Sequence, residues 1–228
     1  MIFSPRGSRV AAAMLAIAYV GSPRHAAARA DAVEPLVCAD TRMLAPVAAR
    51  DLARHAGPLV LDSVVALPVE SAAALAPHRG WLSLGSLDSL DETLAAALAR
   101  HSGPLALDGL LILPPRSATA LSHLRQPLSV GLLALPPETA AALADHRGVL
   151  VFSRLESLTS DAARALAAHR GPLAFPRLTQ LSYASAVELA RLPHPLSFDV
   201  LGGPAGDPDP LAPLATPWIS AGLRSAPR

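Results

Sequence analysis

Hydrophobic and polar positions in this chain follow one pattern, written out seven times. Each copy opens on an apolar, small, apolar triplet such as Leu82, Ser83 and Leu84. The alternation recurs at Leu59, Val60 and Leu61, at Leu105, Ala106 and Leu107, at Leu150, Val151 and Phe152, at Leu173, Ala174 and Phe175, and at Leu196, Ser197 and Phe198. A period of two puts the outer residues on one face and the middle residue on the other, which predicts a short strand. Two further apolar residues, three apart, carry the chain inward while it turns: Val64 and Leu67, Leu87 and Leu90, Leu110 and Leu113, Leu155 and Leu158, Leu178 and Leu181. The back half of each copy is alanine-rich, as in SAAALA, LAAALA and AARALA, and predicts a helix.

Punctuation agrees with that reading. Pro68, Asp91, Pro114, Pro136, Thr159 and Ser182 suit an N-cap or first turn, often with an acid close behind, as at Glu70, Glu138 and Asp161. Gly57, Gly80, Gly103, Gly148 and Gly171 are expected to end the helices in the left-handed conformation. Pro58, Pro104, Pro127, Pro172 and Pro195 then forbid continuation.

The copies span 35–57, 58–80, 81–103, 104–126, 127–148, 149–171 and 172–194, each of 23 residues except the fifth, which has 22; a truncated eighth starts at Pro195. One strand and one short helix cannot bury their apolar faces alone, so the copies must stack. The expected fold is an α/β solenoid with a parallel sheet on one side and short helices on the other. Its interior would hold the column Leu61, Leu84, Leu107, Val130, Phe152, Phe175 and Phe198, in which the three phenylalanines can stack. The expected organisation is a leader at 1–30, an N-terminal cap and first repeat at 31–57, the solenoid proper at 58–201, and a Pro/Gly-rich cap or tail at 202–228. Trp218 and Ile219 are the reason to expect part of that tail to fold back on the last coil.

The register L-x-L-x-x-L-x-x-L, carried by Leu82, Leu84, Leu87 and Leu90 and repeated over roughly 35–201, resembles the leucine-rich repeat family. It is closest to the short bacterial, planctomycete-type repeats with a tail of the form E-A-A-x-A-L-A-x-H-x-G. The resemblance implies a curved solenoid that recognises other molecules on its concave face. Where the general family favours Asn or Cys this chain has Val64, Leu87, Leu110, Leu155 and Leu178, and it contains no Asn at all.

Composition narrows the function classes. With 51% hydrophobic and 16% charged residues the chain is core-rich, far from the composition of disordered segments. A formal net charge of +1 with both signs scattered gives no basic stripe of the kind a nucleic acid needs. Every basic residue is Arg, which removes Schiff-base and P-loop lysines from consideration. Arg6 and Arg9 precede the apolar run 10–20, and Ala28, Arg29 and Ala30 follow as a cleavage pattern, so the start of the chain reads as an export signal; a retained disordered leader is the alternative. The run is too short for a membrane span of about 20 residues. Cys38 is the one cysteine, so no intramolecular disulfide forms; its slot is apolar in the later copies, which predicts an inert buried thiol over a reactive one.

Candidate chemistry is sparse. His55, His78, His101, His146 and His169 share one slot, two residues before the closing Gly, and stacking aligns them in a column. A ladder of imidazoles sharing a divalent ion is the sharp hypothesis. The plainer one is structural, with each imidazole bonding the last helical carbonyls at the negative end of the helix. Leu124 and Leu192 fill the same slot in two copies, and no acid recurs beside it, which favours the structural role and no metal. For binding, the strand-edge residues Asp62 and Asp108, with Arg154 and Arg177 further along, form a polarised edge beside Trp81, which breaks the proline column as an exposed anchor; a merely solvated edge is the alternative. The middle-of-strand column, Val60, Ser83, Ala106, Ser129, Val151, Ala174 and Ser197, is small and chemically quiet. Asp207 and Asp209 alternate with Pro, which marks turns over a calcium loop.

No catalytic motif is present. The sequence therefore predicts no catalytic residues and no cofactor. It predicts a monomeric, non-enzymatic recognition scaffold, secreted or in the periplasm or cell envelope. Its partner would be an unidentified protein or cell-surface ligand, with no nucleic acid and no stable membrane span. The alternative is a metal-binding or hydrolytic protein that uses the histidine column.

Overall fold

Short strands and short helices alternate along the chain, and each strand and helix pair closes one coil. A computed structural model describes residues 36–38, 41–192 and 196–198, with side-chain burial up to Leu196. The expectations for the leader and for the tail, including Asp207, Asp209, Trp218 and Ile219, lie outside the described residues. The strands β1 (Leu36–Val37), β2 (Leu59–Val60), β3 (Leu82–Ser83), β4 (Leu105–Leu107), β5 (Leu128–Val130), β6 (Leu150–Phe152), β8 (Leu173–Phe175) and β10 (Leu196–Phe198) form one parallel sheet in chain order. Its register joins Leu36, Leu59, Leu82, Leu105, Leu128, Leu150, Leu173 and Leu196 in a single row. A second, two-stranded parallel sheet pairs β7 (Ser157–Leu158) with β9 (Gln180–Leu181), and Met43 bridges Ala66 in the same manner near the other end.

The helices α1 (Pro46–Leu52), α2 (Val69–Leu75), α3 (Glu92–Leu98), α4 (Pro115–Ser122), α5 (Pro137–Ala144), α6 (Ser160–Leu166) and α7 (Tyr183–Leu189) pack each against the next. Asp91, Thr159 and Ser182 cap theirs by accepting from the backbone N–H of Leu94, Ala162 and Ser185, while Pro115 and Pro137 stand in the first turn. Between sheet and helices, Leu61, Leu84, Leu107, Val130, Phe152 and Phe175 are fully buried. Phe152 and Phe175 stack with centroids 5.3 Å apart and ring planes 7° apart. Val64, Leu87, Leu110, Leu155 and Leu178 complete the same dry interior. The chain is an α/β solenoid.

Two details differ from the sequence expectation. The glycines do not end the helices: α2, α3 and α6 stop at Leu75, Leu98 and Leu166, five residues before Gly80, Gly103 and Gly171, and none of these glycines takes a left-handed φ. They are needed because neighbouring coils touch there. A Cβ on Gly103 would collide with the carbonyl oxygens of Gly80 and Arg79, and one on Gly171 with that of Gly148. Cys38 is half-buried, packed on the core from one side, because the first coil has a neighbour on one side among the described residues.

A feature the alanine-rich pattern conceals ties the helices down. Ser71, Ser117, Thr139 and Ser185 share one helical slot and are buried; their hydroxyls donate to the carbonyls of Leu44, Leu90, Leu113 and Leu158 in the preceding coil, at 2.6, 2.8, 3.0 and 2.9 Å. Each hydroxyl gives a carbonyl of the preceding coil's inward turn a partner.

Candidate functional site

The acids expected to face a partner are engaged inside the molecule. Asp62 follows β2, and its Oδ1 accepts from the Ser83 hydroxyl at 2.5 Å and the Gly85 N–H at 2.8 Å. Asp108 follows β4, and its Oδ1 accepts from Ser129 at 2.6 Å and Ser153 at 2.7 Å. The slot runs Asp62, Gly85, Asp108, Gly131, and the alternation has a steric cause: a Cβ on Gly85 would lie 2.8 Å from the Asp62 carboxylate, and one on Gly131 would collide with the Asp108 carbonyl. Carboxylates paired with serines thus bridge successive coils in a chain that has no asparagine to do so.

Trp81 is half-buried, where an exposed anchor was expected. It packs with Val149 against Val151 and Ala174, and its indole N–H is buried without a hydrogen-bond partner. The middle of the quiet column is likewise shut from solvent: Ser83, Ala106, Ser129, Val151 and Ala174 are all at most 4% exposed, while Val60 near the first coil is half-buried. Arg154 and Arg177 occupy one slot in successive coils, half-buried and exposed respectively, and neither makes an ion pair among the described residues. The structure therefore does not join Asp62, Trp81, Asp108, Arg154 and Arg177 into one exposed contact surface.

The histidine column lies inside the turn that returns each helix to the next strand. His78, His101, His146 and His169 are buried, while His55 in the first coil is half-buried. The His78 and His101 rings sit 5.6 Å apart and tilted; those of His146 and His169 sit 6.1 Å apart and stacked. Leu124, also buried, separates the two pairs. Each ring folds forward over its own glycine: a Cβ on Gly80, Gly148 or Gly171 would lie 2.8, 2.8 or 3.0 Å from the Nε2 of His78, His146 or His169. That is the physical reason for the two-residue spacing.

Where a partner is resolved, the ring reaches the glycine and not the helix. Nδ1 of His101 lies 2.8 Å from the Gly103 carbonyl, to which it donates when protonated, leaving Nε2 buried without a partner. Both ring nitrogens of His78 and of His146 likewise lack a partner in hydrogen-bond geometry. Burial pushes the His101 imidazole down to about 4, with the neighbouring His78 acting in the same direction and Gly103 opposing. Burial also lowers His78 and His146, against the weaker pull of nearby backbone groups. A neutral, desolvated imidazole can accept a metal, but among the described residues no group of three or more His, Cys, Asp or Glu is placed to hold one.

What does face solvent is apolar. Along the turn from strand to helix, Met43 is 65% exposed and Val65 50% in adjoining coils; Leu111, Ile112 and Leu133 are 40%, 75% and 49% exposed in another adjoining pair. The sequence pattern marks Leu110 and Leu113 as inward, the structure buries Leu132 and Leu135 in the next coil, and the residues between them were overlooked. Leu111 and Leu133, in the slot where other coils carry Asp88, Glu156 and Thr179, and Ile112, in the slot of Ser89, Ser157 and Gln180, were the available signal.

Fold and surface together define an α/β solenoid with an apolar strip on one edge. No protein family's profile matches this chain, and no curated protein or solved structure matches it either. Among the described residues, no helix is long and apolar enough to cross a membrane.

Proposed function

We propose that this chain is a non-enzymatic recognition scaffold, a leucine-rich-repeat-like solenoid exported to the cell envelope or beyond, that binds a protein partner along its strand-to-helix edge. The observation that carries this reading is the exposure of Leu111, Ile112 and Leu133 in two successive coils. Large apolar side chains gathered on a rigid surface mark an interaction site. The buried, small column on the sheet argues for this edge over the face of the strands. Export is supported by Arg6 and Arg9 ahead of the apolar run 10–20 and by the cleavage pattern at Ala28 and Ala30.

The test is site-specific photo-crosslinking in cells that make the protein, with the probe at position 112 and, as a control, at position 96 on the exposed helix face. A discrete adduct from position 112 that Leu133→Glu abolishes supports the reading. Adducts no different from those at position 96 would refute it.

A further inference from the structure

The turn from helix to strand carries one arginine in every coil: Arg54, Arg79, Arg100, Arg125, Arg147, Arg170 and Arg191. Each stands one residue before or after the slot of the histidine column, and this irregular offset hides the series in the sequence. Helix ends and strand starts are in register from coil to coil, so these turns lie in one row. They also touch: the Ser102 N–H donates to the Ala76 carbonyl at 3.1 Å, and a Cβ on Gly148 would lie 3.1 Å from the Arg125 carbonyl. All seven arginines are exposed.

The acids sit elsewhere. Arg54 pairs with Asp51 and Arg191 with Glu188, at the two ends of the row. The five between them, Arg79, Arg100, Arg125, Arg147 and Arg170, make no ion pair among the described residues. Asp145 is the one acid within that stretch of turns, and His123 adds a further imidazole beside Arg125. Asp62, Asp88, Asp91, Glu92, Asp108, Glu138, Glu156 and Asp161 follow strands or begin helices, on the opposite edge. A net charge of +1 therefore conceals a file of like charges on one edge, while the other edge mixes these acids with Arg42, Arg116, Arg154 and Arg177.

We propose that this arginine row is a binding surface for a linear acidic polysaccharide, a chain bearing one carboxylate or sulfate per repeating unit. Guanidinium groups pair with such anions through parallel N–H donors, and a single file of them at coil spacing matches a single flexible polyanion. Among the described residues no Phe, Tyr or Trp is exposed along the row and His123 is its one exposed ring, too sparse a platform to stack successive bases, which sets the acidic glycan above a single-stranded nucleic acid. No large apolar side chain is exposed there to enter a bilayer. The surface is separate from the apolar strip, so its failure and that of the protein-binding reading are independent.

The experiment titrates the full chain with polygalacturonate, with neutral dextran of equal length, with single-stranded DNA and with anionic phospholipid vesicles. The expected result is binding to polygalacturonate that weakens steadily with added salt, and no binding to dextran. Replacing Arg100, Arg125 and Arg147 together by Ser weakens the polygalacturonate complex roughly tenfold, the sum of three exposed charge pairs, with an unchanged Tm. Replacing Arg42, Arg154 and Arg177 by Ser removes the same charge elsewhere and leaves binding within about twofold. Equal losses in the two triple variants, tighter binding to DNA or to vesicles than to the glycan, or no binding to polygalacturonate would each overturn the proposal.

Discussion

Acidification between pH 6.5 and pH 4 should destabilise this protein through its buried histidines. The folded state holds His101 neutral, with its imidazole pushed from 6.5 down to about 4. An unfolded chain takes up a proton at this residue near pH 6.5, whereas the folded chain resists until about pH 4. Below pH 6.5 the unfolded state thus binds more protons, and stability falls with pH until the folded group also titrates. Above pH 6.5 the term vanishes. A displacement of that size corresponds to about 3 kcal/mol at full effect, a large fraction of the 5 to 15 kcal/mol typical of a domain. His78 and His146 are displaced in the same direction and add to the loss.

The groups around the column cannot absorb the charge. His78 faces His55 and His101, and His146 faces His169; the neighbours acting on the shifted rings are imidazoles and backbone groups, with no carboxylate among them. Urea unfolding at half-unit steps from pH 7.5 to 4 reads the effect. The expected midpoint is flat above pH 6.5 and falls steadily below it. His101→Leu should keep the fold, because Leu124 fills the same slot, and should flatten the slope. The Asp91 carboxyl, held below 3.8 by the Leu94 N–H and the Thr93 hydroxyl, loses its capping role only at lower pH and does not confuse the measurement. A midpoint unchanged between pH 7 and 4.5, or an equally steep decline in His101→Leu, would refute the reasoning.

Other perturbations follow from the same packing. Leu107→Ala removes a fully buried side chain from the interior and should cost about 2 to 5 kcal/mol, seen as a lower urea midpoint with little change in slope. Ser117→Ala leaves the Leu90 carbonyl without its hydroxyl partner and should cost about 1 to 2 kcal/mol by the same measurement; Ser117→Thr should retain most of it. Gly103→Ala forces a methyl group against the Gly80 and Arg79 carbonyls and should cost about 1 to 3 kcal/mol, while Ser102→Ala on the exposed side of that turn stays near zero. Metal chelators should leave Tm unchanged, and a clear drop would return the imidazoles to consideration as ligands.

The coil was legible because its determinants are periodic. Leu61, Leu84 and Leu107 each repeat the same local choice, and their separation by a constant interval states that they meet. The glycines were placed at the right residues for the wrong reason, since the collision that demands them is with the previous coil, and local pattern carries no information about what lies across. The same holds for Ser71 and Ser117, whose partners are 27 residues away, and for Asp62 and Asp108, whose exposure in a strand-to-loop reading gives way to bonds with Ser83, Ser129 and Ser153. Trp81 looked available because it interrupts a proline column; its neighbours Val151 and Ala174 come from later coils. The arginine row escaped notice because its members switch irregularly between two offsets.

Leu124 gives the array a seam. On one side of this apolar plug lie the rings of His55, His78 and His101, and on the other those of His146 and His169. A positive charge arising in one group is insulated from the other by a side chain that can neither take a proton nor pass one on. Acid would then loosen the solenoid as two blocks with separate thresholds, the earlier to yield being the one whose imidazoles crowd each other most.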